Sequence, residues 1–189
     1  MAKFVYGALP RTLKAKGYLP GHITSAFGPR YVAAGILKAE TTPVEFGEFV
    51  ELESNTSKSY IAKVVDAGTT AAQLGVVVRD VVGSSLLTND EGDNNIVAFP
   101  KKNVPLSLFI QTAGNKSKIV AILAASQTPA VGGQVFVGKG TGGTVAGALY
   151  TDAQGSQGVD TIATDWKFAS LKFQPTEGAG EAVEVEYAG

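Results

Sequence analysis

Turn signals recur every 8–15 residues from Ile36 to the end of this chain, and that spacing leaves little room for ordinary helices. Apolar runs rich in β-branched residues fill the intervals. Residues 44–52 and 59–65 flank the polar turn Ser54-Asn55-Thr56-Ser57, a hairpin pattern. Further strands are expected over 74–82, 104–112, 117–123, 134–137, 145–150, 166–173 and 182–187. Of these, 104–112 and 117–123 face each other across a Gly114-Asn115 turn. Residues 89–95 (NDEGDNN) read as a loop, and the best helix candidate is the short TTAAQL run of 69–74. Eight to ten strands at this spacing predict an all-β body, a β-sandwich/jelly-roll or a β-barrel-like closure, rather than alternating βα units.

Residues 1–35 differ from the body expected over 36–189. Pro10, Pro20 and Pro29 interrupt any helical run, yet the segment keeps Phe4, Tyr6, Leu13, Tyr18, Ile23, Phe27 and Tyr31. Disordered tails are poor in such side chains. An extended N-terminal arm that lies on another surface, its own body's or a neighbour's, accounts for both features. The arm is also a cation. Lys3, Arg11, Lys14, Lys16, Arg30 and Lys38 precede the first carboxylate, Glu40, whereas the rest of the chain holds ten basic and seventeen acidic residues. The expected partner-binding residues are therefore Phe4, Tyr6, Arg11, Lys14, Lys16, Tyr18, Phe27, Arg30 and Tyr31. Six basic residues over this length are too sparse to track a nucleic-acid backbone, so protein contact is the expectation.

Composition narrows the chemistry. The absence of cysteine excludes disulfides, thiolate catalysis and cysteine-ligated zinc. Met1 to Pro10 has no apolar core of a signal peptide, and no run reaches membrane-spanning length. The expectation is synthesis in the cytoplasm, with export, if any, inside something larger. Charged residues make up 17% of the chain and glycines number 23, which suits short strands, tight turns and a surface partly covered by partners.

No motif carries catalysis. Gly133 to Gly140 fits G-x-x-x-x-G-K but has Gly140 where a phosphate loop needs Ser or Thr. Gly138 to Gly143 fits G-x-G-x-x-G, yet the run from Thr144 to Tyr150 is too short and too glycine-rich for the helix that fingerprint requires. A flexible hairpin loop is the simpler expectation. Asp90, Glu91 and Asp93 are oxygen donors without EF-hand spacing. His22 is the lone histidine and sits in the arm, away from any triad partner. No enzyme activity, cofactor or metal is expected.

The opening MAKFVYGALPR, the later Ala72 to Asp80 (AQLGVVVRD) and the Gly132 to Val137 turn resemble structural cement (capsid decoration) proteins of tailed bacteriophages. That resemblance implies a β-sandwich or barrel-like body on the outside of an icosahedral head, straddling major capsid subunits against the pressure of packaged DNA. It implies the major capsid protein and other copies of the chain, as dimer or trimer, as partners, with no nucleic acid or membrane. The alternative is a soluble ligand- or carbohydrate-binding β-sandwich. Trp166 and loop tyrosines such as Tyr150 would then stack on sugar rings, although Trp166 reads better as core.

Overall fold

The computed structural model of the chain describes residues 19–25, 32–38, 44–53, 60–78, 98–99, 105–110, 117–175 and 180–189. Two curved sheets make up the body. The first contains β2 (Val32–Leu37), β4 (Phe49–Glu53), β5 (Tyr60–Val64), β6 (Leu74–Val78) and β8 (Pro105–Ile110). It closes into a barrel in the order β2-β5-β4-β6-β8. The second contains β1 (Ile23–Ser25), β9 (Lys118–Leu123), β10 (Gln134–Gly138), β11 (Leu149–Tyr150), β12 (Thr161–Phe168) and β13 (Glu181–Tyr187). Its order is β1-β9-β11-β10-β12-β13, and β13 returns to pair with β9, so this sheet curls back on itself. A small ladder joins β3 (Val44–Glu45) to β7 (Ala98–Phe99).

The body is all-β, as the spacing predicts. Strands β4 and β5 form the expected hairpin, with Val50 opposite Val64 and Leu52 opposite Ala62. The TTAAQL run shrinks to a single 3-10 turn, Ala71–Gln73, begun by Thr70 and closed by the Gln73 side chain accepting the Thr70 amide at 3.1 Å. Three expectations need correction. The stretches at 104–112 and 117–123 do not form a hairpin. Strand β8 pairs with β2 and β6 in the barrel, while β9 pairs with β13 in the curled sheet. Both segments are apolar enough to be central strands, so local pattern could not choose their partners. The strand expected from Trp166 begins earlier, at Thr161, because the sequence TIATD alternates buried and exposed positions that hydropathy alone understates. The strand expected over 145–150 retains only Leu149–Tyr150; the glycines at 142, 143 and 147 all have positive φ and form a loop instead.

One core serves both sheets. In β6, Leu74, Val76 and Val78 point to one side and Val77 to the other, and all are buried. The first side joins Phe49 from β4 and Ile119, Ala121, Val135, Val137, Leu149, Trp166, Phe168, Val183 and Val185 from the curled sheet. The second fills the barrel with Leu37, Val50, Ala62, Val77 and Leu108. A strand with both faces apolar fits only between two hydrophobic layers. Trp166, fully buried, packs edge-on against Phe49 with ring centroids 5.4 Å apart, and the Tyr187 ring lies 5.5 Å from it.

Backbone bonds reinforce this junction. Gly47 donates to Val77 in the barrel at 2.8 Å and accepts from Ile122 in the curled sheet at 3.1 Å. Residues 19–25 lie along the free side of β9, with Gly21 donating to Val120 at 2.8 Å and Val120 donating to His22 at 2.9 Å. Gly47 has φ +81°, and a Cβ there would come within 2.9 Å of the Gly21 nitrogen and the Val120 oxygen. Gly132 has a similar φ of +83° but nothing within 4 Å. The pair separates backbone strain from close approach. Gly132→Ala should cost about 1 kcal/mol, the left-handed penalty alone. Gly47→Ala should cost roughly 2–4 kcal/mol, because backbone must move as well. Urea denaturation of both variants measures the difference, and equal losses would mean that the close approach contributes nothing.

The same turn holds a titratable group. Glu48 Oε2 accepts the Glu45 amide at 2.7 Å, and the Glu48 carbonyl accepts the Val77 amide at 3.0 Å. Burial pushes its carboxyl up to about 8, with the neighbouring Glu45 charge adding to the rise and the Glu45 amide opposing it. Glu45 is itself raised by burial. The folded protein therefore keeps a proton that the unfolded chain releases above the ordinary carboxylate range. Stability should fall as pH rises from about 4.5 to about 8, by an amount on the order of 2–4 kcal/mol, and level off beyond. Glu48→Gln keeps an acceptor for the Glu45 amide and cannot ionise. Melting temperatures taken between these pH values should fall less steeply for Glu48→Gln than for the parent, and parallel curves would remove Glu48 as the source.

Candidate interface surfaces

The partner-binding residues expected from sequence, Phe4, Tyr6, Arg11, Lys14, Lys16, Tyr18, Phe27, Arg30 and Tyr31, lie outside the described residues, as does the acidic loop at 89–95. Of the stretch 1–35, residues 19–25 and 32–35 are described, and both parts are laid into the body as β1 and the start of β2. His22 lies in the part that runs along β9, where its carbonyl seals the edge at Val120.

The glycine-rich segment at 138–143 is a hairpin loop between β10 and β11, with Phe136 opposite Tyr150 and Val137 opposite Leu149. It is bonded at several points. Thr141 Oγ1 donates to Asp160 Oδ1 at 2.7 Å, the Lys139 amide to the Asp160 carbonyl at 3.0 Å, and Lys139 Nζ to the Ala67 carbonyl at 3.3 Å. The lysine that a phosphate loop would aim at a nucleotide therefore ties the hairpin to the barrel. Trp166 and Tyr150 are both buried, at 0% and 7% exposure, which removes the stacking platforms of the carbohydrate-binding alternative. Tyr150 sits in a strand rather than a loop, and its hydroxyl accepts the Val145 amide at 2.8 Å.

Several charged groups elsewhere form ion pairs. Glu51, buried in the barrel wall, accepts from the Thr69 hydroxyl, from Gln73 Nε2 at 3.4 Å and from Lys63 Nζ at 3.2 Å. Lys63 also meets Asp66 at 3.0 Å; that bond holds the lysine above its ordinary range and the aspartate below its own. On the exposed barrel face Lys38 bonds Glu53 at 2.8 Å, which lowers the Glu53 carboxyl. Among the described residues no group of three or more His, Asp or Glu gathers to hold a metal ion. A depression of about 370 Å³ is lined by Leu123, Ala125, Ser126, Gly180 and the Lys172–Glu181 ion pair, whose two charges face each other rather than a ligand.

The C-terminal acids are similarly matched. Glu181 bonds Lys172 at 2.8 Å, and Glu186 sits in register between Lys118 on β9 and Lys167 on β12. A strand that the sequence shows as an anion thus lies in a mixed field. Sequence reasoning could not see this, because the lysines come from two other segments, at 118 and at 167–172.

Comparison with known proteins gives this surface a setting. A family model described as XM1 gp53 minor capsid protein matches residues 12–187. Among solved structures, a chain of the capsid of Myoviridae phage XM1 is similar in fold. Its TM-score is 0.56, with 14% identity and 98% of each chain covered. No curated protein matches. The family match takes in both sheets from first strand to last, and the chain belongs to the XM1 gp53 minor capsid protein family, a capsid-associated phage protein.

Proposed function

We propose that the protein is a structural cement that binds the outside of a phage head and bridges neighbouring major capsid subunits. The observation that carries this reading is the match to a minor capsid family across nearly the whole chain. Membership of such a family implies a structural rather than an enzymatic role. The geometry supports the finer reading. Two sheets that share one core make a stiff body, and stiffness is what a bridge between subunits requires. The body presents closed ion pairs and braced loops rather than a cleft with convergent polar groups.

The arm supplies the grip. Its aromatic side chains would bury apolar area on the shell at roughly 25 cal/mol per Å², and repetition over many sites adds avidity. Its positive charge would meet acidic patches of the shell. A neighbour's C-terminal strand is a weaker receptor, because Lys118, Lys167 and Lys172 already offset its acids. Other copies of the chain, as dimer or trimer, complete the set of partners.

Purified protein mixed with heads that lack it should bind, and the heads should then release DNA at a higher temperature. Limited proteolysis with mass spectrometry should clip the free protein ahead of the β1 segment, within residues 1–18, and spare that stretch on heads, since a docked extended segment is protected. An arm already protected in a free monomer would instead assign it to the body and contradict the clamp. Lys14→Glu combined with Lys16→Glu should weaken head binding about tenfold at low salt, through charge repulsion at the contact. Unchanged binding at low salt would remove the electrostatic part of the account.

A further inference from the structure

The barrel and the β10–β11 hairpin meet along a seam with a carboxyl group beneath it. The hairpin loop, residues 139–148, belongs to the curled sheet by its own bonds. Gly138 donates to Ala148 and Gly147 to Gly138, both at 2.9 Å, and Thr144 Oγ1 donates to the Asp160 carbonyl at 3.1 Å. Among the described residues, two hydrogen bonds carry it across to the barrel. One is the exposed bond from Lys139 Nζ to the Ala67 carbonyl. The other, from the Phe49 amide to the Gly147 carbonyl at 3.0 Å, joins two buried residues.

Glu48 lies against that second bond. A Cβ placed on Gly147 would stand 2.5 Å from Glu48 Cγ and 3.0 Å from Glu48 Oε1, so the hairpin backbone rests on the carboxyl itself. No described cation reaches it. Its own turn brings Glu45, a like charge, and Glu45 is the one described charge that acts on it. Strand β6 and residues 120–122 pack there with no titratable side chain. On β4, Glu51 and Glu53 are bonded to Lys63 and Lys38. His22 turns its carbonyl to Val120, and Lys139 is held at Ala67. With no ion pair to compensate burial, the closed seam favours a protonated Glu48.

We propose that Glu48 is a proton-operated latch. Neutral, it is covered by the hairpin; ionised, it draws in water and parts the hairpin from the barrel at Gly147 while the cores stay packed. Parting the seam gives up the Phe49–Gly147 bond and the exposed Lys139 bond. Hydrating the carboxylate by general unfolding would also uncover the apolar cluster around Phe49 and Trp166, so the local route costs less. The sign follows from burial. The covered carboxyl is pushed up to about 8, against an ordinary value of 4.5. Between these values the open form has released a proton that the closed form keeps. The open-to-closed ratio therefore grows by up to about tenfold per pH unit as pH rises, and levels off above about 8. The latch concerns the body alone and does not rest on the cement reading.

Hydrogen exchange of the full chain, read by mass spectrometry, tests it. Protection factors remove the intrinsic pH dependence of exchange. For peptides covering Phe49 and Gly147 they should fall by about tenfold or more between about pH 6 and about pH 8.5. Peptides from β13 should stay about tenfold better protected at both pH values, and Trp166 fluorescence should not change. Glu48→Gln should abolish the fall. Glu45→Gln leaves its amide to Glu48 and removes the like charge, so it should make the fall smaller. That variant carries the test should circular dichroism show Glu48→Gln to be unfolded. Protection at Phe49 and Gly147 that is the same at both pH values overturns the latch, as does a fall that neither substitution reduces. A fall shared equally by β13, with Trp166 becoming exposed, also overturns it, because the body would then open as a whole.

Discussion

Strand β6 is buried on both faces, and the rest of the architecture depends on that. Its sequence, LGVVV, offers no polar residue to water, so each side needs its own apolar layer. The barrel interior supplies one and the curled sheet the other. Strand β4 repeats the pattern, sending Phe49 to the curled sheet and Val50 into the barrel. Neither sheet could therefore be removed without exposing the other's core. The two sheets are joined through the larger hydrophobic cluster, with Trp166 and Phe49 in contact where they meet.

The polar groups near this junction follow from the packing. Two layers can approach only where backbone comes close to backbone, and Gly47 allows that for the segments at 19–22 and 120–122. The turn containing it also encloses Glu48, which the low-dielectric surroundings favour in its neutral form. Exposed charges are then left to the outer faces, where Lys38 pairs with Glu53 and Lys172 with Glu181. A rigid body with chemically distinct sides is the form expected of a protein that must sit in one orientation within a shell.

Much of the fold was legible in the sequence, and the exceptions have physical reasons. Strands β4 and β5 read directly as a hairpin, because alternation and a polar turn are local signals, but the strand expected over 44–52 breaks at the Phe46-Gly47 turn and its start, Val44–Glu45, pairs with β7 instead. The all-β class came from the spacing of turns. Partner choice was not legible. Residues 105–110 and 118–123 look like neighbours along the chain, but each is a central strand of a different sheet. The strand expected over 145–150 shrinks to Leu149–Tyr150 because Gly147 breaks it, and only the cover of Ala124 and Ala148 shows Tyr150 as core. The proposed gripping segment was visible. The cationic aromatic segment stands out in sequence, and the resemblance to capsid cement proteins agrees with the family.

The central claim is that the two sheets form one cooperative body, and equilibrium unfolding tests it most directly. Trp166, the only tryptophan, reports on the shared core, while far-ultraviolet circular dichroism reports on strands in both sheets. The account predicts coincident transitions in denaturant, the mark of a two-state unit. Two separated transitions, with the barrel melting while Trp166 stays buried, would show that the sheets are independent and would contradict it.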